Sequence, residues 1–170
     1  LSSNGTIIWQ KSYGGSNVDH AYSIQQTADG GYIVAGNSYS NDGDVSGNHG
    51  SSDYWIVKID SIGLIIWQKC LGGSSFEVAN CIQQTADGGY IIIGDSDSGD
   101  GDVPVNKGYR DYWIVKLDSL GTMMWQKSLG GTFIEHGVSI QQTIDGGYIA
   151  SGYSSSADGD VIGNKGLYDY

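Results

Sequence analysis

The sequence predicts an all-β fold, a β-propeller-type array of four-stranded antiparallel blades. Three observations carry that expectation. The motif Gln-Gln-Thr-Xaa-Asp-Gly-Gly-Tyr occurs at Gln25–Tyr32, Gln83–Tyr90 and Gln141–Tyr148, so the chain repeats every 58 residues without an insertion. Each repeat holds four short β-prone runs, and no segment has the apolar period of a helix. The connections alternate short turn and long loop, as in the blade of a propeller. A β-solenoid is the alternative, but its coils are usually shorter and its strands do not pair as tight hairpins within one coil.

Taken in order, Gly5–Tyr13 is a β-prone run that places Ile7, Trp9 and Tyr13 on one face, and it recurs at Gly63–Leu71 and Gly121–Leu129. Ala21–Thr27 and Tyr32–Ser38 form a hairpin around Asp29-Gly30-Gly31, where glycine tolerates the positive φ of a tight turn. Tyr32–Gly36 and Tyr90–Gly94 are apolar throughout, which marks a strand covered on both faces. A long polar connection, about 39–52, leads to the strand Asp53–Asp60, and Ser61-Ile62-Gly63 turns it back. With these strands named A to D, the expected organisation within one repeat domain, 1–170, is a lone strand D at 5–14, whole blades at 21–71 and 79–129, and a partial blade at 137–170. Both short turns then lie on one face and both long loops on the other, where function is expected. Propellers close with about four to eight blades, so the expected partners are further blades of the same protein or other copies of the chain.

The chain has 170 residues, 28 of them glycines at recurring positions, and a net charge of −11. Such a charge repels a phosphate backbone, which excludes nucleic acid as a natural partner. No window is long and apolar enough for a membrane span, and Leu1–Gln10 lacks the features of a signal peptide; the chain begins in mid-repeat, so a leader can precede it in a longer precursor. Cys70 and Cys81 align with serines in the other repeats. They read as small, buried or half-buried side chains, with a local disulfide as the alternative.

The candidate chemistry lies in the B–C loop. Asp42, Asp44, Asn48 and Asp53 recur as Asp100, Asp102, Asn106 and Asp111, and again as Asp158, Asp160, Asn164 and Asp169. Alternating carboxylates on a glycine-rich loop, followed by an amide and another acid, offer the hard oxygen ligands that Ca²⁺ prefers. The spacing is not that of an EF-hand. The competing expectation is that these aspartates initiate turns and accept hydrogen bonds from nearby backbone N–H groups. No catalytic set is expected, and the chain reads as no enzyme: equivalent copies give no unlike carboxylate pair, and no Gly-Xaa-Ser-Xaa-Gly elbow is present. His20, His49 and His136 do not recur in all repeats and read as solvated loop residues. Asp19, Glu77 and Glu135 do recur, and are expected to join the loop aspartates on a strongly negative face.

Leu71–Ser74 (Leu-Gly-Gly-Ser), Asp87–Ile91 (Asp-Gly-Gly-Tyr-Ile) and Asp111–Gly121 (Asp-Tyr-Trp-Ile-Val-Lys-Leu-Asp-Ser-Leu-Gly) together resemble the bacterial β-propeller repeats of the SBBP type. The resemblance spans the whole chain. It implies a secreted or surface-attached protein, as in Bacteroidota, acting as a structural or interaction scaffold for adhesion or for binding a surface protein or polysaccharide. Asp60–Trp67 and Asp118–Trp125 also look like the tryptophan-docking motif of quinoprotein propellers, but depart from it at the usual alanine and threonine. Trp67 and Trp125 are therefore expected between blades. The alternative function is part of an enzyme or quinoprotein-like cofactor-binding propeller whose active-site blades lie elsewhere.

Overall fold

The computed structural model describes residues 1–170 and contains strands but no helix. In the first sheet β1 (Asp19–Gln26), β2 (Tyr32–Ser38), β3 (Asp53–Ile59) and β4 (Ile65–Leu71) pair in sequence order. The second sheet repeats this with β5 (Glu77–Gln84), β6 (Tyr90–Ser96), β7 (Asp111–Leu117) and β8 (Met123–Leu129). A third, of two strands, holds β9 (Glu135–Gln142) and β10 (Tyr148–Ser154). Every pair is antiparallel.

Segment 5–14, expected as a lone strand D, is not a strand. It has no neighbouring C strand to supply ladder hydrogen bonds, and a β-segment without a partner is not stable. It nevertheless lies beside the first sheet. Trp9 meets Tyr32 edge-on at 6.2 Å, and Lys11 Nζ and the Tyr13 hydroxyl donate to the Gly63 carbonyl at 2.8 and 2.7 Å.

The hairpin turns show why the motif holds two glycines. Gly30, Gly88 and Gly146 have φ of +82°, +79° and +87°, in the left-handed region that penalises a Cβ. Gly31 is needed for space, because a Cβ there would strike the Ile59 carbonyl oxygen and fall 2.6 Å from Lys58 Nζ. That ammonium, on a buried side chain at the end of β3, pairs with Asp29 at 2.9 Å, and Lys116 pairs with Asp87 at the same distance.

The sheets pack face to face, and consecutive sheets meet through their first strands: β5 lies against β1, β2 and β3, and β9 against β5, β6 and β7. Ile33, Ala35, Tyr54 and Ile56 share one buried cluster with Ile92, Trp113 and Val115 of the second sheet. On the opposite face of β6, Ile91 and Ile93 close on Ile140 of β9. Strand β6 is thus covered on both sides, as its unbroken apolar run requires. Each isoleucine so buried contributes about 1.5–3 kcal/mol. Trp67 packs edge-on against Tyr90 at 5.8 Å, and Trp125 against Tyr148 at 5.7 Å, so both tryptophans join adjacent sheets. No helix is long and apolar enough to cross a membrane.

Candidate functional site

The recurring polar residues converge on the connection that leads from one sheet into the next. After β4 the chain runs through Gly72, Gly73, Ser74 and Ser75 outside any strand, so four successive N–H groups need acceptors. Each finds a different one. Gly72 donates to Asp102 Oδ2 at 3.2 Å, Gly73 to Glu77 Oε2 at 2.8 Å, Ser74 to Asp100 Oδ1 at 2.8 Å and Ser75 to Ser98 Oγ at 2.9 Å.

The same row forms at every repeat. Gly130, Gly131, Thr132 and Phe133 donate to Asp160, Glu135, Asp158 and Ser156. Gly14, Gly15, Ser16 and Asn17 donate to Asp44, Asp19, Asp42 and Ser40. The B–C loop of each sheet therefore latches the connection by which the chain enters that sheet. The paired glycines follow from this closeness, since a Cβ on Gly73 would fall 2.6 Å from both the Asp100 carbonyl oxygen and Ser98 Cβ. N–H donation, from Ser16 and from Ser74, holds the Asp42 and Asp100 carboxyls below the usual range. Asp158 is lowered likewise, first by the Thr132 hydroxyl.

The other half of the candidate set works within its own loop. Asn48 Nδ2 donates to the carbonyls of Ser38 and Ser40 at 2.9 and 3.2 Å, and Asn164 does the same to Ser154 and Ser156. Asn48, Asn106 and Asn164 each accept the N–H two residues on, at Gly50, Gly108 and Gly166. Asp53, Asp111 and Asp169 accept the N–H four residues back, at His49, Lys107 and Lys165. Burial pushes Asp53 and Asp111 upward, and one carboxylate oxygen of each is enclosed without a hydrogen-bond partner. No group of three or more His, Cys, Asp or Glu side chains converges closely enough to hold a metal ion.

Two expectations are corrected here. Glu77 and Glu135, expected on an acidic surface, are fully buried; each accepts a serine hydroxyl, Ser96 at 2.7 Å and Ser154 at 2.6 Å, and burial raises the Glu77 carboxyl. Their place as first residues of β5 and β9 puts them between sheets, which the sequence position alone did not reveal. His20 and His136 are strand residues, not loop residues, and His136 Nδ1 lies 2.7 Å from the buried carboxylate of Asp95. His49 is on the B–C loop as expected, half-exposed, and is bound to Asp53.

Sequence reasoning also missed the glutamines. Gln84 N–H donates to Gln25 Oε1 at 2.6 Å, while Gln84 Oε1 accepts from Ala28 N–H at 2.9 Å. Gln142 and Gln83, with Ala86, repeat both bonds at the next junction. The doubled glutamine in every copy was the available signal, but a period-two reading assigns it only to a hairpin arm. The cysteines are free, and burial pushes the Cys70 thiol up to about 12, which leaves it no nucleophile at neutral pH.

The geometry assembled by this chain is thus one of joints between repeats, with the same acceptors in the same places each time. Among known proteins, no family model matches the chain, and no curated protein matches it either.

Proposed function

We propose that this chain is a non-catalytic repeat scaffold whose sheets are arranged as propeller blades. The single observation that carries this reading is the latch: the acidic residues that recur in every repeat are spent on the backbone of the connection between sheets. A catalytic or cofactor site needs unlike groups in unlike environments, whereas these groups are alike at each step. The radial arrangement is supported by the way sheets meet through their first strands, as blades do around an axis. The resemblance to SBBP-type repeats points the scaffold outside the cell or to its surface, with surface protein or polysaccharide as the class of partner.

Hydrogen–deuterium exchange tests the reading. In a scaffold of latched joints, the amides of Gly72–Ser75 and Gly130–Phe133 are protected to nearly the level of the strands, and Asp100→Ala with Asp102→Ala releases the first group. Free exchange of these loops in the unaltered chain would return the long-loop face to a ligand-binding role.

A further inference from the structure

The two internal junctions act as a template for a third. Ile33 and Ile91 occupy equivalent positions on β2 and β6 and are 0% exposed under the following sheet, whereas Ile149, their equivalent on β10, is 63% exposed. Beside it, Gln141 stands where Gln25 and Gln83 accept the N–H of the following repeat, and it is exposed. At the other end of the molecule Ile24 of β1 is 64% exposed, whereas its equivalents Ile82 and Ile140 on β5 and β9 are buried against the preceding sheet. Gln26, the equivalent of Gln84 and Gln142, is exposed there as well. The molecule therefore carries both halves of the joint that it makes twice internally.

Resting on the scaffold reading, we propose that the exposed face of β9–β10 docks the β1–β3 face of a second copy of this chain, head to tail, in the register of the internal junctions. Gln141 Oε1 then accepts from Gln26 N–H of the second copy, and Gln26 Oε1 accepts from Ile144 N–H. A joint between unlike faces is heterologous and propagates into a ring or an open array. The apolar part supplies the drive and the glutamines set the register, because a slip by one residue would strand their acceptors.

Sedimentation velocity and directed cross-linking test this on the whole chain. The mass is expected to grow with concentration between about 1 µM and about 1 mM, the range of modest interfaces. Ile149→Lys is expected to shift the apparent Kd at least tenfold, and Ile62→Lys, on an exposed turn away from this face, to leave it unchanged. Cross-linking uses Cys70→Ser and Cys81→Ser as background, since the aligned positions already carry serine. Copies with Gln26→Cys, mixed with copies carrying Gln141→Cys, then form mixed disulfides in excess over like pairs. A monomer at all concentrations, or cross-links confined to like copies, would overturn the docking. In that event, protected latch amides would leave the scaffold reading standing, and exchanging ones would remove it too.

Discussion

Gln84 is bound through its backbone N–H to the side chain of Gln25, 59 positions earlier, and through its own side chain to the N–H of Ala28. One residue thereby reads both its own position and that of its neighbour, which fixes how two sheets sit along their first strands. Gln84→Ala leaves the Ala28 N–H without its partner, so a loss of about 1 kcal/mol is expected. Gln142→Ala should match it at the second junction. Urea unfolding measures both; a change below the error of the experiment would assign the glutamines no part in holding the joint.

The two glycine classes separate in the same experiment. Gly30→Ala meets nothing within 4 Å, but its φ of +82° strains any L-residue, at a cost of about 1 kcal/mol. Gly73 has no such φ, and its Cβ would strike the Asp100 carbonyl oxygen and Ser98 Cβ, both at 2.6 Å. Backbone cannot yield as a flexible side chain can, so Gly73→Ala is expected to cost about 2–3 kcal/mol. The reverse order of the two losses would contradict the latch geometry.

The latch aspartates also decide the calcium question. Asp100→Ala with Asp102→Ala removes the acceptors of Ser74 and Gly72, so a lower melting temperature is expected. If backbone donors are the sole partners, this loss is the same in Ca²⁺ and in EDTA. A bound ion would instead stabilise the unaltered chain in proportion to ln(1 + [L]/Kd), and the variant would lose that response. Calorimetry in millimolar Ca²⁺ distinguishes the two.

Acid titration isolates the hairpin ion pairs. The Thr27 hydroxyl, then Lys58, hold Asp29 down to about 2, and Thr85 with Lys116 lower Asp87 further. A carboxyl depressed on folding stabilises above its unfolded value near 4, and that contribution is lost as pH falls through the folded value. Asp29→Asn with Asp87→Asn should therefore cost about 1 kcal/mol each at pH 7, discounted for the exposure of both carboxylates. The Asp29→Asn difference should shrink as pH falls from about 4 through about 2, and the Asp87→Asn difference should fade only at lower pH. Two differences that stay constant over this whole range would place the effect in turn geometry instead of charge. Comparing the two chains cancels Asp53, Glu77 and Asp111, which burial moves the opposite way.

Much of this was legible in the sequence because local chemistry and the global pattern agree. Tyr32–Ser38 is a strand with the bounds expected of the second hairpin arm, and Gly30 has the positive φ that Asp-Gly-Gly implied. Asp42 and Asp44 were recognised as recurring, but the donors that they serve lie 26 and 30 residues away, on the connection between repeats. Nothing at Glu77 announces burial, since a glutamate before a β-prone run is usually solvated. The Asp95–His136 contact was out of reach for a different reason: the aligned positions carry Asn37 and Tyr153, so no period marks it. Residues that fold the repeat could be read one repeat at a time, whereas those that join repeats needed the stacking itself.

The proposed radial arrangement of the sheets is tested most directly by paired spin-label distances. Tyr22 and Val138, on β1 and β9, stand two repeats apart on first strands, and Ile8 and Met124 stand two repeats apart at the last strand's position. All four are exposed enough to label. Blades fanned around an axis predict that the Ile8–Met124 distance clearly exceeds the Tyr22–Val138 distance. Equal distances would mean parallel stacking, and would contradict the propeller in favour of a solenoid.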